Sequence, residues 1–153
     1  VQTCALPICA IADQGGEVLK FIGDAVLATF PISAMPDDTP DAARRALDAA
    51  RQALSALDAW NVANPQRAVS IGVALHVGHV LFGNVGARER LDFTVIGAAV
   101  NEVCRIEALC KTTGVRLLCS EEFADAVGRA NLTDLGQYPL KGVARPVRVF
   151  GGE

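Results

Sequence analysis

One lysine and one aspartate interrupt an otherwise apolar, β-prone run, GGEVLKFIGDAVLATFP, at residues 15–31. The apolar residues on both sides of its Gly-Asp pair predict two short buried strands joined by a tight turn. Strand alternation would place Val18, Lys20 and Ile22 on one face together with Asp24. Because an unpaired buried charge is costly, Lys20 and Asp24 must reach water or an opposite charge. The pattern is typical of a turn with a snorkelling lysine, and the alternative is a polar site at the hairpin.

A second polar cluster lies in LDFTVIGAAVNEVCRIEAL, residues 91–109. Asn101 and Arg105 are four residues apart, so a helix places both side chains on one face. On its own such a pair is typical of a solvated helix face. The functional alternative is a site for a phosphorylated ligand, because Arg stabilises charge on a transferring phosphoryl group and Asn orients a sugar oxygen.

Length and composition limit the kinds of protein this chain can be. With 153 residues, 51% hydrophobic and 20% charged, it predicts one globular domain. The net charge of −3 comes without a basic stripe, so nucleic acid is not an expected partner. No apolar run is long enough to span a bilayer, so we expect no membrane contact from this segment.

The residues that commonly bind metals do not form a recognisable motif. The five cysteines contain no CxxC pair, which argues against a zinc site and against a disulfide framework. Free thiols favour a reducing, cytoplasmic setting, although the parent protein could be membrane-anchored upstream. They are Cys4, Cys9, Cys104, Cys110 and Cys119. His76 and His79 do not share a strand face, and no carboxylate neighbour is expected beside them. Metal binding by these histidines is therefore not predicted.

The elements that must position these residues alternate hairpins with helices. The predicted order begins with a hairpin over 15–31, a helix from an N-cap at Thr39 to about residue 60, and strands over 68–77 and 79–85 turned at Gly78. A helix over 98–111, which Gly114 stops, and a strand over 115–119 follow. The last elements are a short helix capped by Ser120 that ends near Gly128, and strands near 132–138 and 146–150. This order predicts an α+β sandwich, a mainly antiparallel sheet with helices on one face.

Three segments in order resemble the class III adenylate/guanylate cyclase catalytic domain. They are GGEVLKFIGDAVLATFP, IGVALHVGHVLFGNVGARERLDFTVIGAAVNEVCRIEAL and LGQYPLKG, within a stretch that runs from Gly15 to Phe150. The resemblance implies a ferredoxin-like, palm-type sandwich whose first strand is missing from this sequence.

The resemblance also implies roles for the first polar cluster. The aspartate of KFIGD, here Asp24, binds two divalent cations, Mg²⁺ or Mn²⁺, and such ions prefer carboxylate oxygens. The lysine of the same motif, Lys20, and Thr94, three residues before the Gly of TVIG, recognise the purine. Lys with Thr favours ATP, since the Glu and Cys of guanylate cyclases are absent.

In the second cluster the resemblance makes Asn101 and Arg105 the catalytic pair. Asn101 positions the ribose, and Arg105 stabilises the phosphorane-like transition state. Lys141, in the LKG sequence, resembles a triphosphate-binding lysine.

The function implied is conversion of ATP to 3′,5′-cyclic AMP and pyrophosphate by two-metal-assisted phosphoryl transfer, in cyclic-nucleotide signalling. The family acts as a dimer, so we expect a homodimer with sites at the subunit interface. The alternatives are a guanylate cyclase and a non-catalytic, cyclase-like regulatory or nucleotide-binding domain.

The N-terminal segment raises a separate expectation. Residues 1–8, VQTCALPI, resemble a translated sequencing adapter, so we expect a non-native leader followed by a partial cyclase domain over residues 9–153. The family's other metal-binding aspartate lies on an opening strand well upstream, and Asp13 is too close to Asp24 to be that residue. We therefore expect the fragment alone to be inactive.

Overall fold

The computed structural model describes residues 5–33, 35, 37–87, 90–129, 131–143 and 145–152. Their elements are α1 (Ala5–Asp13), β1 (Glu17–Ile22), β2 (Ala25–Thr29), α2 (Asp38–Ala63), a 3₁₀ turn (Pro65–Arg67), β3 (Val73–Leu75), β4 (Leu81–Ala87), β5 (Arg90–Ile96), α3 (Ala98–Thr113), β6 (Leu117–Ser120), α4 (Glu121–Ala126), β7 (Leu132–Tyr138) and β8 (Val147–Gly152). None of the described helices is long and apolar enough to cross a membrane.

The main sheet has four strands in the order β3-β6-β8-β7. Strand β3 is parallel to β6, whereas β8 pairs antiparallel with both β6 and β7. The β1–β2 and β4–β5 hairpins form two further antiparallel sheets. The predicted α+β class with mainly antiparallel pairing is therefore confirmed.

Helices cover both faces of the four-stranded sheet. On β6 and β8, Leu117 and Phe150 face a core formed with α2 and α4, while their neighbours Leu118 and Val149 face a second core that includes Ile106 of α3. Adjacent strand residues point to opposite faces, so an uninterrupted apolar strand needs cover on both sides. The prediction that all helices lie on one face is therefore wrong for α3.

The first hairpin has the predicted strands and turn but an unexpected irregularity. Ile22 pairs with Ala25 across a two-residue connection, and Gly23 supplies the positive φ of +63° that the turn requires. The register shifts between Val18 and Lys20, so Leu19 is an extra residue in β1. This bulge moves Lys20 off the face of Val18, and the predicted shared face is wrong for Val18.

The predicted pairing of residues 68–77 with 79–85 is also wrong. Strand β3 pairs with β6, and β4 pairs instead with β5, a strand that the sequence pattern did not reveal. The segment between β3 and β4 does not form a hairpin turn at Gly78. It passes close to the start of α3, where a Cβ on Gly78 would lie 2.6 Å from the Cβ of Ala99.

The helices agree with the predicted positions more closely than the strands do. Helix α2 begins at Asp38, so the predicted cap, Thr39, lies inside the first turn. The backbone N–H of Ser33 donates to the Asp38 carboxylate and lowers the pKa of that group. Ser120 caps α4 as predicted by accepting from the Phe123 N–H at 3.3 Å, and Gly114 ends α3 at a φ of +72°. Helix α1 includes residues 5–8 of the segment expected to be a leader.

The cysteines in the described residues are free thiols. Cys9 and Cys104 are exposed, whereas Cys110 and Cys119 are buried in the two cores. Burial raises the pKa of Cys110 to about 11 and that of Cys119 to about 12, because a thiolate would lose its hydration. These two residues act as small apolar side chains.

Candidate active site

The first group of predicted site residues lies on the β1–β2 hairpin. Asp24 is exposed at the turn, and a Cβ on Gly23 would meet nothing within 4 Å, so the turn is open to solvent. Lys20 is exposed on β1 beside the bulge. The backbone of Thr94 pairs with Gly83 in the second hairpin, and its side chain lies outside the described part of the chain. Because β5 contacts β1, the strands that carry Lys20 and Thr94 are neighbours.

The second group lies where α3 meets the turn between β7 and β8. Asn101 is exposed and Arg105 is half-buried, one helical turn apart. The Arg105 guanidinium packs against Gly142, where a Cβ would lie 3.2 Å from Nη2. Gly142 has a φ of +74°, which glycine adopts without strain. Lys141, the residue before Gly142, is exposed, so the turn that the Arg105 guanidinium contacts carries a second cationic residue.

Some arginines in the described part of the chain are paired with carboxylates, and the predicted site arginine is not among them. Arg116 forms a bidentate ion pair with Asp58, at 2.7 and 2.8 Å. Among the described residues, no ion pair includes Asp24, Arg105 or Lys141.

The two groups lie on different parts of the fold. Asp24 is at the tip of a separate two-stranded sheet, whereas Asn101 and Arg105 lie on the helix that packs on the four-stranded sheet. Asp13, at the end of α1, lies at the opposite end of β1 from Asp24, and a six-residue strand is roughly 20 Å long. Asp13 therefore cannot share a metal ion with Asp24 in this conformation.

The predicted metal residue, Asp24, has the type of side chain that a divalent cation prefers. Mg²⁺ is commonly held by one or two carboxylates together with substrate phosphates, and Asp24 offers one exposed carboxylate. Within the described ranges, no group of three or more His, Cys, Asp or Glu side chains could hold a metal ion without further ligands. The site would need oxygens from a nucleotide or from elsewhere.

A polar cluster around a nearly buried histidine, His76, lies beside α3 and was not predicted. The His76 side chain is only 7% exposed, and its Nε2 lies 3.3 Å from Glu102 Oε2. Its Nδ1 lies 2.8 Å from Ser120 Oγ and 3.8 Å from Glu122 Oε2. The expectation that His76 has no carboxylate neighbour is therefore wrong. These residues come from three separate segments, and no local spacing in the sequence could have linked them.

A sequence model of the Adenylate and Guanylate cyclase catalytic domain matches residues 9–150. An adenylate cyclase of Anabaena cylindrica is 35% identical over 149 residues, which cover 93% of this chain and 27% of that protein. This chain thus spans about a quarter of the length of that relative.

Solved structures agree with the sequence match. The guanylyl cyclase Cya2 has a TM-score of 0.78 and 28% identity, covering 97% of this chain and 75% of that one. A bacterial light-regulated adenylyl cyclase has a TM-score of 0.76 and 27% identity, covering 99% of this chain and 43% of that one. These matches confirm the predicted cyclase fold. The chain therefore belongs to the adenylate and guanylate cyclase catalytic domain family.

Proposed function

We propose that the protein containing this chain converts ATP to 3′,5′-cyclic AMP and pyrophosphate in cyclic-nucleotide signalling. The observation that supports this most directly is the group formed by Asn101, Arg105 and Lys141, in which neither cation has a carboxylate partner among the described ion pairs. A guanidinium beside a turn that carries a lysine suits a triphosphate. The similar adenylate cyclase of Anabaena cylindrica supports ATP as the substrate.

In the proposed reaction the ribose 3′-oxygen attacks the α-phosphorus. The new O3′–P bond forms as the bond to pyrophosphate breaks, and the 3′-hydroxyl proton is lost to solvent. Arg105 stabilises the negative charge that develops around phosphorus, and Lys141 neutralises the triphosphate. Asn101 holds the ribose so that the attacking oxygen is in line. Lys20 and Thr94 recognise the adenine edge.

Asp24 is the residue proposed to hold the divalent cations. When bound, Mg²⁺ or Mn²⁺ would activate the hydroxyl nucleophile and neutralise the leaving oxygens. Asp24 would contribute a carboxylate from the hairpin turn, where its exposure leaves room for the triphosphate. Because it is the one metal carboxylate that we assign, we also propose that residues 1–153 alone are inactive.

We infer that the active form is a homodimer. Five large apolar side chains are exposed on strands that contact one another, since β4 pairs with β5 and β5 contacts β1. They are Phe21, Ile22, Leu81, Phe82 and Ile96. Large apolar side chains exposed on neighbouring strands favour association. Because the two groups of site residues lie on different parts of the fold, an interface between two copies would complete the site.

Direct measurement of the products tests the proposed activity. The full-length protein would be incubated with ATP or GTP and Mg²⁺ or Mn²⁺, and cyclic AMP and cyclic GMP would be quantified separately. We expect metal-dependent cyclic AMP, little cyclic GMP, and loss of product in Asp24→Asn. Residues 1–153 alone would be assayed in parallel, and we expect them to form no product. Metal-dependent turnover by this shorter chain would contradict the assignment of Asp24 as its one metal carboxylate.

Guanylate cyclase activity is the second candidate. It is favoured by the similarity to the guanylyl cyclase Cya2, whose TM-score slightly exceeds that of the light-regulated adenylyl cyclase. A predominance of cyclic GMP in the same assay would establish it in place of adenylate cyclase activity. Nucleotide binding without either product would instead indicate a non-catalytic, cyclase-like module.

A further inference from the structure

The first half of α3 has few of the usual anchors of a helix. Its N-cap is Gly97, which has no side chain to cap the first turn, and the buried residues of α3 are Ile106 and Cys110 in the second half. Every residue from 98 to 105 is exposed or only half-buried. Yet this half carries Asn101 and Arg105, whose proposed roles need a defined position. Something other than apolar burial must hold it in place.

The segment that follows β3 supplies this support. A Cβ on Gly97 would lie 3.0 Å from the carbonyl oxygen of His79, and one on Gly78 would lie 2.6 Å from the Cβ of Ala99. The segment therefore contacts the first helical turn closely. His76, at its start, adds a polar contact through Nε2 to Glu102, which precedes Ile106 by one turn. Glu102 thus lies on the same face of α3 as Ile106, one turn nearer the N-terminus, and its contact with His76 holds that turn against the sheet.

The other nitrogen of His76 connects this contact to α4. Ser120 is completely buried, and its hydroxyl accepts from the Phe123 N–H, so the hydroxyl hydrogen can be donated to Nδ1. Nε2–H can then donate to Glu102, and every group in the chain of contacts has a partner. The carboxylates that face the ring are Glu102 on α3 and Glu122 on α4.

Serine, histidine and glutamate in contact have the composition of a nucleophilic triad, but the geometry excludes that role. A nucleophile must be reachable by substrate, and Ser120 has no exposed surface. Its oxygen also caps α4. The cluster is therefore a connection between helices.

We propose that His76 is a positioning residue that fixes the start of α3, through Glu102, against the end of β6. The inference rests on the proposed function, because its consequence is the correct placement of Asn101 and Arg105. Loss of the contact would let the first two turns of α3 shift while Ile106 and Cys110 keep the rest of the helix packed. A displacement of about 1 Å at a catalytic group can lower the rate roughly a hundredfold.

Two substitutions separate the contacts of His76. The amide nitrogen of His76→Gln can reach the position of Nε2 and retain the bond to Glu102, whereas the shorter His76→Asn can replace only the contact of Nδ1 with Ser120. Hydrogen–deuterium exchange in residues 1–153 is measured first. We expect exchange over 98–105 to rise at least about tenfold in His76→Asn and to stay within about threefold of wild type in His76→Gln, with α2 as the internal reference. Unchanged exchange over 98–105 in His76→Asn would overturn the inference, whether or not the protein has cyclase activity.

Kinetics of the full-length protein provide the second measurement. We expect His76→Asn to lower kcat about tenfold with less than about a twofold change in KM, and His76→Gln to restore most of kcat. Combining His76→Asn with Glu102→Ala should cost no more than either change alone, because both remove the same contact. Additive losses, or equal losses in the Asn and Gln variants, would contradict positioning through Glu102. An inactive wild-type protein would contradict the proposed function, and the exchange experiment would still decide the role of His76.

Discussion

At the scale of single residues, the surroundings of Arg105 distinguish it from arginines that stabilise the fold. Arg116 and Arg129 are held by carboxylates, whereas the guanidinium of Arg105 rests on the backbone of Gly142. No ion pair within the described ranges includes Arg105, and a guanidinium that is not already paired can respond to charge that develops on a substrate. Its removal should therefore affect the transition state more than the fold.

Substitution of Arg105 tests this role. In the full-length protein, Arg105→Ala should lower kcat at least about a hundredfold, about 2.7 kcal/mol of transition-state stabilisation, with little change in the unfolding temperature. Arg105→Lys is the matched control, since it keeps the charge but loses the planar fork, and its activity should be intermediate. Near-normal cyclic AMP production by Arg105→Ala would exclude the proposed role.

The base-recognising residues can be tested by exchanging their hydrogen-bonding character. Replacing Lys20 with Glu and Thr94 with Cys should lower kcat/KM for ATP and raise it for GTP, because a donor becomes an acceptor at the purine edge. The measurement is the ratio of the two kcat/KM values, with each single variant as a control. If the ratio does not change, these residues do not recognise the base.

At the scale of elements, the contact between the segment after β3 and helix α3 determines where the second polar group lies. Gly78 allows this contact, because any side chain there would collide with the Cβ of Ala99, which is fixed to the helix backbone, and with the ring of His76. The same segment looks like a hairpin turn in the sequence. Its actual neighbour is a helix that begins some twenty residues later.

Gly78→Ala should consequently destabilise the domain by about 1–3 kcal/mol, the usual cost of overpacking. Gly83→Ala is the matched control, because a Cβ at Gly83 would meet nothing within 4 Å. Urea unfolding of residues 1–153 would compare the two variants with wild type. Equal stability of Gly78→Ala and Gly83→Ala would show that the segment and α3 can separate at little cost.

At the scale of the whole molecule, the exposed apolar side chains of β1, β4 and β5 are the surface most suited to a second copy of the chain. Leu81→Asp should weaken dimerisation at least about tenfold, because one charged group would be buried without a partner. Leu81 is 76% exposed, and Val62, at the end of α2, is 83% exposed. Val62→Asp is thus the matched control, because it also replaces an exposed apolar residue with aspartate but lies outside this surface. Sedimentation of the full-length variants over a range of concentrations makes the comparison, and equal dimerisation would place the interface elsewhere.

Mixing two inactive variants tests whether the site is shared between copies. If Asp24 and Arg105 come from different subunits, a mixed dimer of Asp24→Asn and Arg105→Ala contains one intact site. Random mixing gives mixed dimers half of the time, so we expect up to about a quarter of wild-type activity in the mixture and almost none in either variant alone. No recovery, with mixed dimers shown to form, would indicate that one chain supplies both residues.

Local chemistry in the sequence was sufficient to predict the first hairpin, the amphipathic α2 and α3, the Ser120 cap and the strands β6 to β8. Each depends on periodicity or on a capping residue within a few positions. The motifs around Asp24 and Asn101 also indicated the family, which the comparisons confirm. The site roles of individual residues stay predictions.

Only the tertiary structure decided which elements meet. The extra residue at Leu19, the pairing of β4 with β5, the placement of α3 on the second face and the contact of Arg105 with Gly142 depend on residues far apart in the chain. The His76 cluster joins three such segments, and its carboxylate partners have no local signal. Sequence periodicity reports which face of an element is apolar, but the partner of that face is set by packing among all elements at once.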